Sequence, residues 1–141
     1  MSKQSPYKMT LCPMTYVLDI LGDKWTFLII RDMLFKCNCR YQHFMDSDEG
    51  IATNILADRL KKLAHHGIVE QQKDPTNGRK KIYTLTRKGL DLTPAVLHLI
   101  KWSGNYDGDS LISEDIMQKL NNHFDDCVEF VINHYLQEKK T

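Results

Sequence analysis

Four short side chains share one face of a segment with helical periodicity, residues 52–66. Its other face has apolar residues at the i, i+4, i+7 spacing of an amphipathic helix: Leu56, Leu60 and Leu63. Short polar groups on an exposed helix can reach the edges of bases, and asparagine pairs with adenine through two hydrogen bonds. The candidates for base contact are Thr53, Asn54, Ala57 and Asp58. The alternative is that Asn54 only caps the helix and that Asp58 is solvated.

Cationic side chains are concentrated in one block of the sequence. Residues 59–88 contain nine Lys or Arg and two acids, whereas residues 105–141 contain eight acids and three bases, so the net charge of +1 hides a polarised distribution. Such a field steers a polyanion to one face. The candidates for phosphate contact are Arg59, Lys61, Lys62, Arg79, Lys80 and Lys81. A solvated basic surface is the alternative for the block, and an intramolecular ion pair is the alternative for Arg59.

Length and composition indicate one ordinary globular domain. The chain has 141 residues, of which 42% are hydrophobic and 26% charged, which excludes collagen-like and globally disordered classes. The longest apolar run, residues 27–30, is far shorter than the ~20 residues of a membrane span, and the first residues do not resemble a signal peptide. We therefore expect a cytoplasmic location and no membrane partner.

The cysteines and the remaining titratable residues form no recognisable catalytic or metal motif. Four cysteines occur without the spacing of a disulfide framework. Cys37 and Cys39, with His43 nearby, lack the second half of a structural zinc site, and small loop residues are the simpler interpretation. No nucleophile elbow, glycine-rich phosphate loop or metal triad is present. We expect no enzyme activity, no metal and no cofactor.

The elements that must position these groups follow from the periodicity of apolar residues. Helices are predicted over 13–21, 24–35, 41–45, 52–66, 87–103 and 113–136, and strands over 68–73 and 80–85 with a turn at 74–78. The fold class is mainly α with a small β-hairpin (α+β). A short helix, a turn, an amphipathic helix and a basic hairpin in this order predict a winged helix-turn-helix. An α-helix fits the major groove of duplex DNA, and the wing, about 73–82, would contact phosphates.

The domain organisation follows from the same elements. We expect a flexible arm at 1–10, the winged helix-turn-helix at 11–104, and a linker with a C-terminal dimerisation helix at 105–141. The apolar face of the last helix could form a two-fold dimer interface with the N-terminal segment and the 87–103 helix. Packing on its own domain is the alternative. The large aromatic residues expected in the core are Trp25, Phe44, Tyr83 and Trp102.

Several motifs resemble one protein family. They include Cys12-Pro13, Gly22-Asp23-Lys24-Trp25, Leu56-Ala57-Asp58-Arg59-Leu60 and Tyr83-Thr84-Leu85-Thr86-Arg87-Lys88-Gly89. With these motifs the chain resembles the HxlR-type winged helix-turn-helix transcriptional regulators, which are related to the MarR group. The resemblance implies a dimeric, one-component bacterial regulator that binds near-palindromic operators in double-stranded DNA with the 52–66 helix in the major groove.

Two details of the resemblance bear on the site. The family commonly has Ser-Pro-Lys where this chain has Ala52-Thr53-Asn54, so we expect Thr53 or a shifted helix start to satisfy the first backbone N–H groups. Some members of the family sense oxidants or electrophiles through a cysteine near the N-terminus. Cys12 matches that position, and a helix start favours its thiolate. A small-molecule or electrophile effector is therefore expected. The alternatives are an inert Cys12 and, for the whole chain, a winged-helix protein-interaction module without DNA affinity.

Overall fold

The computed structural model describes residues 11–139, so the arm predicted at 1–10 lies outside the described residues. Eight helices and two strands follow one another in this part of the chain. In chain order they are α1 (Pro13–Leu21), α2 (Lys24–Lys36), α3 (Tyr41–Met45), α4 (Thr53–His65), β1 (Val69–Asp74), β2 (Asn77–Leu85), α5 (Arg87–Leu90), α6 (Thr93–Tyr106), α7 (Glu114–Asn122) and α8 (Phe124–Lys139). The predicted class, helical with one hairpin, is confirmed.

Helix α2 lies at the centre of the fold. Ile29, Ile30, Met33 and Leu34 are all at most 2% exposed, as expected for a helix that is apolar nearly all round. Asp23 caps its first turn by accepting a hydrogen bond from the backbone N–H of Thr26. The core continues through the buried faces of α4 and the hairpin. This burial fixes the direction in which the polar face of α4 points.

Helices α3 and α4 and the turn between them form the predicted helix-turn-helix. Phe44 of α3 and Leu56 of α4 are both buried in the core. Gly50 has a φ of +68° in the turn, a conformation that glycine adopts without strain. Ile51 inserts into the core just before α4 begins. The turn therefore sets the angle of α4 against the rest of the domain.

Strands β1 and β2 form a two-stranded antiparallel sheet. Val69 pairs with Leu85 and Lys73 with Lys81, but Asp74 pairs with Asn77. The register therefore shifts between Lys73 and Asp74, which places residues 78–80 in an irregular segment beside the tip. The base of the hairpin reaches the core through Val69, Tyr83 and Leu85. Beyond the base most side chains are exposed, but Asp74 beside the tip is buried.

The two helices predicted for the C-terminal half are each divided in the structure. The 87–103 segment forms α5 and α6, and Pro94 lies in the first turn of α6 because its fixed φ suits a helix start. The 113–136 segment forms α7 and α8, which are separated at His123. The break lets the Phe124 ring stack on His98 of α6, with 3.9 Å between ring centroids.

Helix α8 packs on its own domain along part of its length. Tyr135 is 4% exposed, and its hydroxyl oxygen accepts a hydrogen bond from the backbone N–H of Leu85, 2.7 Å away. The aromatic predictions hold for Phe44 and Tyr83, which are buried. The prediction for Trp102 is wrong, because its side chain is 66% exposed on α6. No helix within residues 11–139 is long and apolar enough to cross a membrane.

Candidate nucleic-acid interface

The outer face of α4 carries all four base-contact candidates. Thr53, Asn54, Ala57 and Asp58 are exposed, as is Lys61 one turn further on. The opposite face is buried by Leu56, Leu60 and Leu63. The amphipathic pattern of the sequence therefore orients these groups to solvent as predicted.

The start of α4 differs from the expectation. Ala52 occupies the N-cap position with no side-chain cap, and the helix begins at Thr53, one residue later than the predicted 52–66 helix. The Thr53 hydroxyl contacts the Met45 sulfur at 3.8 Å instead of capping the helix. The first backbone N–H groups of α4 are therefore not satisfied by the cap side chain.

An ion-pair network fixes α4 against the start of α2. Arg59 donates from Nε to Oδ1 of Asp23, 3.0 Å away, and also pairs with Asp58. Lys62 Nζ lies 3.9 Å from Oδ2 of Asp23. Burial alone would raise the pKa of the Asp23 carboxyl, but the hydrogen bonds from Thr26 and Arg59 outweigh it and lower that pKa. The ion-pair alternative for Arg59 is the one that the structure contains.

A second ion pair holds the turn before α4. Arg31 of α2 makes a bidentate contact with Glu49, with Nη1 to Oε1 at 2.7 Å and Nη2 to Oε2 at 2.9 Å. The same guanidinium also bonds Asp32. The hydrogen bond from Arg31 holds the pKa of the Glu49 carboxyl well below its usual range. The turn is thus fixed to the central helix by charge-assisted hydrogen bonds.

The basic residues of the wing lie on its solvent-exposed part. Arg79, Lys80 and Lys81 are all exposed, and Arg79 and Lys80 belong to the irregular segment beside the tip. Lys73 stands opposite Lys81 in the sheet. Like charges facing one another are unfavourable on a folded surface. Lys73 and Lys81 form a strongly cationic edge, and a bound polyanion would reduce the repulsion between them.

The wing is tied to the body of the domain by a buried carboxylate. Asp74 is 4% exposed, pairs with Arg40 at the start of α3, and accepts hydrogen bonds from the Thr76 backbone N–H and hydroxyl. The bond from Arg40 and those from Thr76 hold the pKa of Asp74 well below its usual range. The wing therefore has a defined position relative to the helix-turn-helix.

The cysteines are distributed over three places. Cys12 is exposed at the N-cap of α1, and Cys127 is half-buried in α8. Cys37 and Cys39 are half-buried in the loop between α2 and α3. Within residues 11–139 there is no group of three or more His, Cys, Asp or Glu side chains that could hold a metal ion.

Sequence reasoning missed the residues that position the site. The sequence places Asp23 directly before the predicted 24–35 helix, but it does not indicate that Asp23 accepts a hydrogen bond from Arg59. Neither Arg40–Asp74, 34 residues apart, nor Arg31–Glu49, 18 residues apart, leaves a local signal. These pairs form because the fold brings the groups together.

Comparison with known proteins decides the family. The HxlR-like helix-turn-helix family matches residues 20–110, the segment from the end of α1 to the turn before α7. The chain belongs to the HxlR family. It is therefore a winged helix-turn-helix transcriptional regulator and a member of a family of regulators rather than of enzymes.

Two relatives of this chain illustrate the match. The HTH-type transcriptional regulator YodB of Bacillus subtilis is 34% identical over 109 residues, which is 75% of this chain and 96% of YodB. The HTH-type transcriptional regulator sll1512 of Synechocystis is 31% identical over 96 residues, which is 68% of this chain and 70% of the relative.

Solved structures of HxlR-like proteins share the fold. PA1607 superimposes with a TM-score of 0.67 at 34% identity, over 78% of this chain and 75% of that protein. The redox regulator HypR in its reduced form superimposes with a TM-score of 0.60 at 26% identity, over 69% of this chain and 95% of HypR. Quinone-bound YodB of B. subtilis superimposes with a TM-score of 0.56 at 31% identity, over 67% of this chain and 100% of YodB.

Proposed function

We propose that this HxlR-family regulator is a bacterial one-component regulator that binds near-palindromic duplex DNA as a homodimer. The observation that carries the proposal is the exposed polar face of α4 beside a cationic wing, both held in place by buried or half-buried ion pairs. An α-helix fits the major groove, and a positioned wing adds contacts to the backbone.

The base contacts are assigned to the first two turns of α4. Thr53, Asn54, Ala57 and Asp58 are presented together on the exposed face. Asn54 reads adenine through its amide, and the Ala57 methyl suits the methyl group of thymine. The uncapped start of α4 leaves backbone N–H groups for a phosphate oxygen.

The phosphate contacts are assigned to the exposed cations at both ends of this surface. Lys61 extends from α4, and Arg79, Lys80 and Lys81 extend from the wing. Lys62 and Arg59 are half-buried beside Asp23, so we assign them chiefly to positioning α4, with phosphate contact as a further role. Each neutralised phosphate releases counterions, so affinity should fall steeply with salt.

The homodimer is supported by apolar side chains that one chain leaves in water. They lie on α1, α6 and α8 and in the flanking residues: Leu11, Met14, Val17, Leu18, Leu99, Trp102, Tyr106, Phe130 and Leu136. Large exposed apolar surfaces of this kind mark interaction sites. A two-fold pair would bury them and present two copies of α4, one for each half of a near-palindromic site.

The effector response is proposed for Cys12. The neighbours include a redox regulator and a quinone-bound regulator, HypR and YodB. Cys12 is exposed at the start of α1, where an oxidant or a small electrophile can reach it. Modification there would act on α1, which is part of the proposed dimer surface, and would change the spacing of the two α4 helices.

Fluorescence-anisotropy titration with random and promoter-derived duplexes at two salt concentrations tests the proposal. We expect an affinity that falls steeply with salt and differs between sequences. A reduced, dimeric sample that binds no duplex at low salt would overturn DNA binding. That outcome would favour a winged helix used for protein interaction.

A further inference from the structure

Two cysteines form a pair in the loop between α2 and α3. Cys37 and Cys39 are separated by Asn38 alone, are both half-buried, and are not joined by a disulfide. Since neighbouring Cα atoms are ~3.8 Å apart, their Cα atoms lie within ~7 Å of each other. The loop therefore carries two half-buried thiols two residues apart on one backbone segment.

The backbone of this loop is fixed at both cysteines. Cys37 ends α2 in the left-handed conformation, with a φ of 55°, and its N–H bonds to the carbonyl of Asp32. Cys39 donates from its N–H to Nδ1 of His43 at 3.3 Å, and its carbonyl accepts from the N–H of Tyr83 at 2.8 Å. A ligand that needs both thiols would find them already held on one loop, which lowers the entropic cost of binding.

A divalent metal ion does not suit this pair. A structural zinc ion takes four protein ligands, and the described residues place no third His, Cys, Asp or Glu in such a group. Burial raises the pKa of the Cys37 thiol, and the nearby Glu138 and Cys39 raise it further. A cation that requires thiolates must compete with the bound proton.

A trivalent arsenical has no such requirement, because it condenses with two neutral thiols to give a neutral product. We propose that Cys37 and Cys39 form a dithiol site that captures trivalent arsenicals. For an arsenical of the form R–As(OH)₂, two S–As bonds form and two As–O bonds break. Two waters leave with the two thiol protons, and neither arsenic nor sulfur changes oxidation state. The charge of the half-buried loop is unchanged by the reaction.

Binding of an arsenical at this loop would directly affect the wing, because the two are in contact. Cys39 bonds to Tyr83 in β2, and the next residue, Arg40, pairs with Asp74 at the wing tip. A ring that includes both sulfurs constrains the backbone between Cys37 and Cys39. We expect the hydrogen bond between the Cys39 carbonyl and the Tyr83 N–H to weaken in the adduct.

The test uses phenylarsine oxide and the folded full-length chain, with intact mass and thiol titration as readouts that do not depend on DNA. The variants are Cys37→Ser and Cys39→Ser, and the matched control is the double variant Cys12→Ser/Cys127→Ser. The protein is incubated with one equivalent of the arsenical in the presence of excess monothiol, and afterwards with a dithiol. Amide hydrogen exchange at Tyr83 is compared with and without the arsenical.

We expect the wild type and the double variant to retain one phenylarsenic group that only the dithiol removes. The wild-type adduct should leave two of the four thiols titratable. Each single variant at Cys37 or Cys39 should lose the adduct, and exchange at Tyr83 should speed up in the wild-type adduct. Retention of the adduct in both single variants, or its loss in the double variant, overturns the proposal.

Discussion

Arg59 and Asp23 join two helices that are far apart in the sequence. The Nε of Arg59 lies 3.0 Å from Oδ1 of Asp23, across 36 residues, and Asp23 also caps α2 through Thr26. One carboxylate thus holds the start of the central helix and the middle of α4. A charged group with two such roles should contribute to stability and to the placement of the polar face.

Replacing this carboxylate should destabilise the fold. Asp23→Ala removes the N-cap of α2 and the acceptor of Arg59, and loss of a cap alone costs ~1 kcal/mol. We expect a loss of ~1–2 kcal/mol in the free energy of unfolding, measured by urea denaturation. Asp58→Ala is the matched control, because Asp58 also pairs with Arg59 but its side chain is 66% exposed. Equal losses in the two variants would contradict a special role for Asp23.

The stability of the wing should depend on pH through Asp74. Its folded pKa is lowered by Arg40 and Thr76, so the unfolded chain binds the proton more tightly. The contribution of the Asp74 carboxylate to folding stability is therefore fully present above pH ~3.9, the pKa of Asp in the unfolded chain. It is lost as the pH falls towards the lower pKa of the folded state. The thermal unfolding temperature, measured between pH 2 and 6, should fall less steeply with decreasing pH in Asp74→Asn than in the wild type. The exposed Asp48→Asn serves as the control, and identical profiles for the two variants would contradict the assignment.

Removing wing charges should weaken DNA binding for every sequence. Arg79→Ala/Lys81→Ala deletes two exposed cations from β2. If both contact phosphates, the slope of log affinity against log salt should fall by about two, since each contact contributes ~0.9. The measurement is anisotropy at several salt concentrations, with Lys119→Ala on α7 as the control. Wild-type affinity and slope in the double variant would show that the wing does not touch the backbone.

Removing the Asn54 amide should change sequence preference more than general affinity. A bidentate contact to adenine provides ~1–3 kcal/mol of discrimination, and Asn54→Ala would relax it at one position of each half-site. Binding-site selection from a random duplex pool measures this. Gln42→Ala, an exposed amide on α3, should leave the selected sequence unaltered. If the duplexes selected by Asn54→Ala show the same sequence preference as those selected by the wild type, Asn54 does not take part in base recognition.

Oxidants and electrophiles should release DNA through Cys12. We expect treatment with diamide or a quinone to weaken operator binding by ~10-fold in the wild type, within the usual range for coupled sites. Cys12→Ser should be insensitive, and Cys127→Ser should respond as the wild type does. The measurement is anisotropy before and after treatment. Sensitivity that persists in Cys12→Ser would move the response to another thiol.

The fold was predictable where the pattern is local. Apolar spacing identified α1 to α4, and the turn signal at residues 74–78 identified the hairpin, because helices and hairpins are encoded by neighbours in the sequence. The helix breaks were not predictable at the same level. Helix α7 ends before His123 with neither proline nor glycine at the break, and only the tertiary structure places Phe124, the next residue, against His98 of α6. Periodicity across a break of one residue looks continuous.

The sequence by itself determined the class of this protein and the residues that it exposes. The types and spacing on α4, the basic hairpin and the family motifs all lie within short segments. Only the tertiary structure decided which charged side chains form ion pairs within the fold. Arg59 and Arg40 look like the other basic residues in the sequence, yet both are paired with carboxylates brought from 36 and 34 residues away. Such pairing depends on distance in space, which helix packing sets and local sequence does not record.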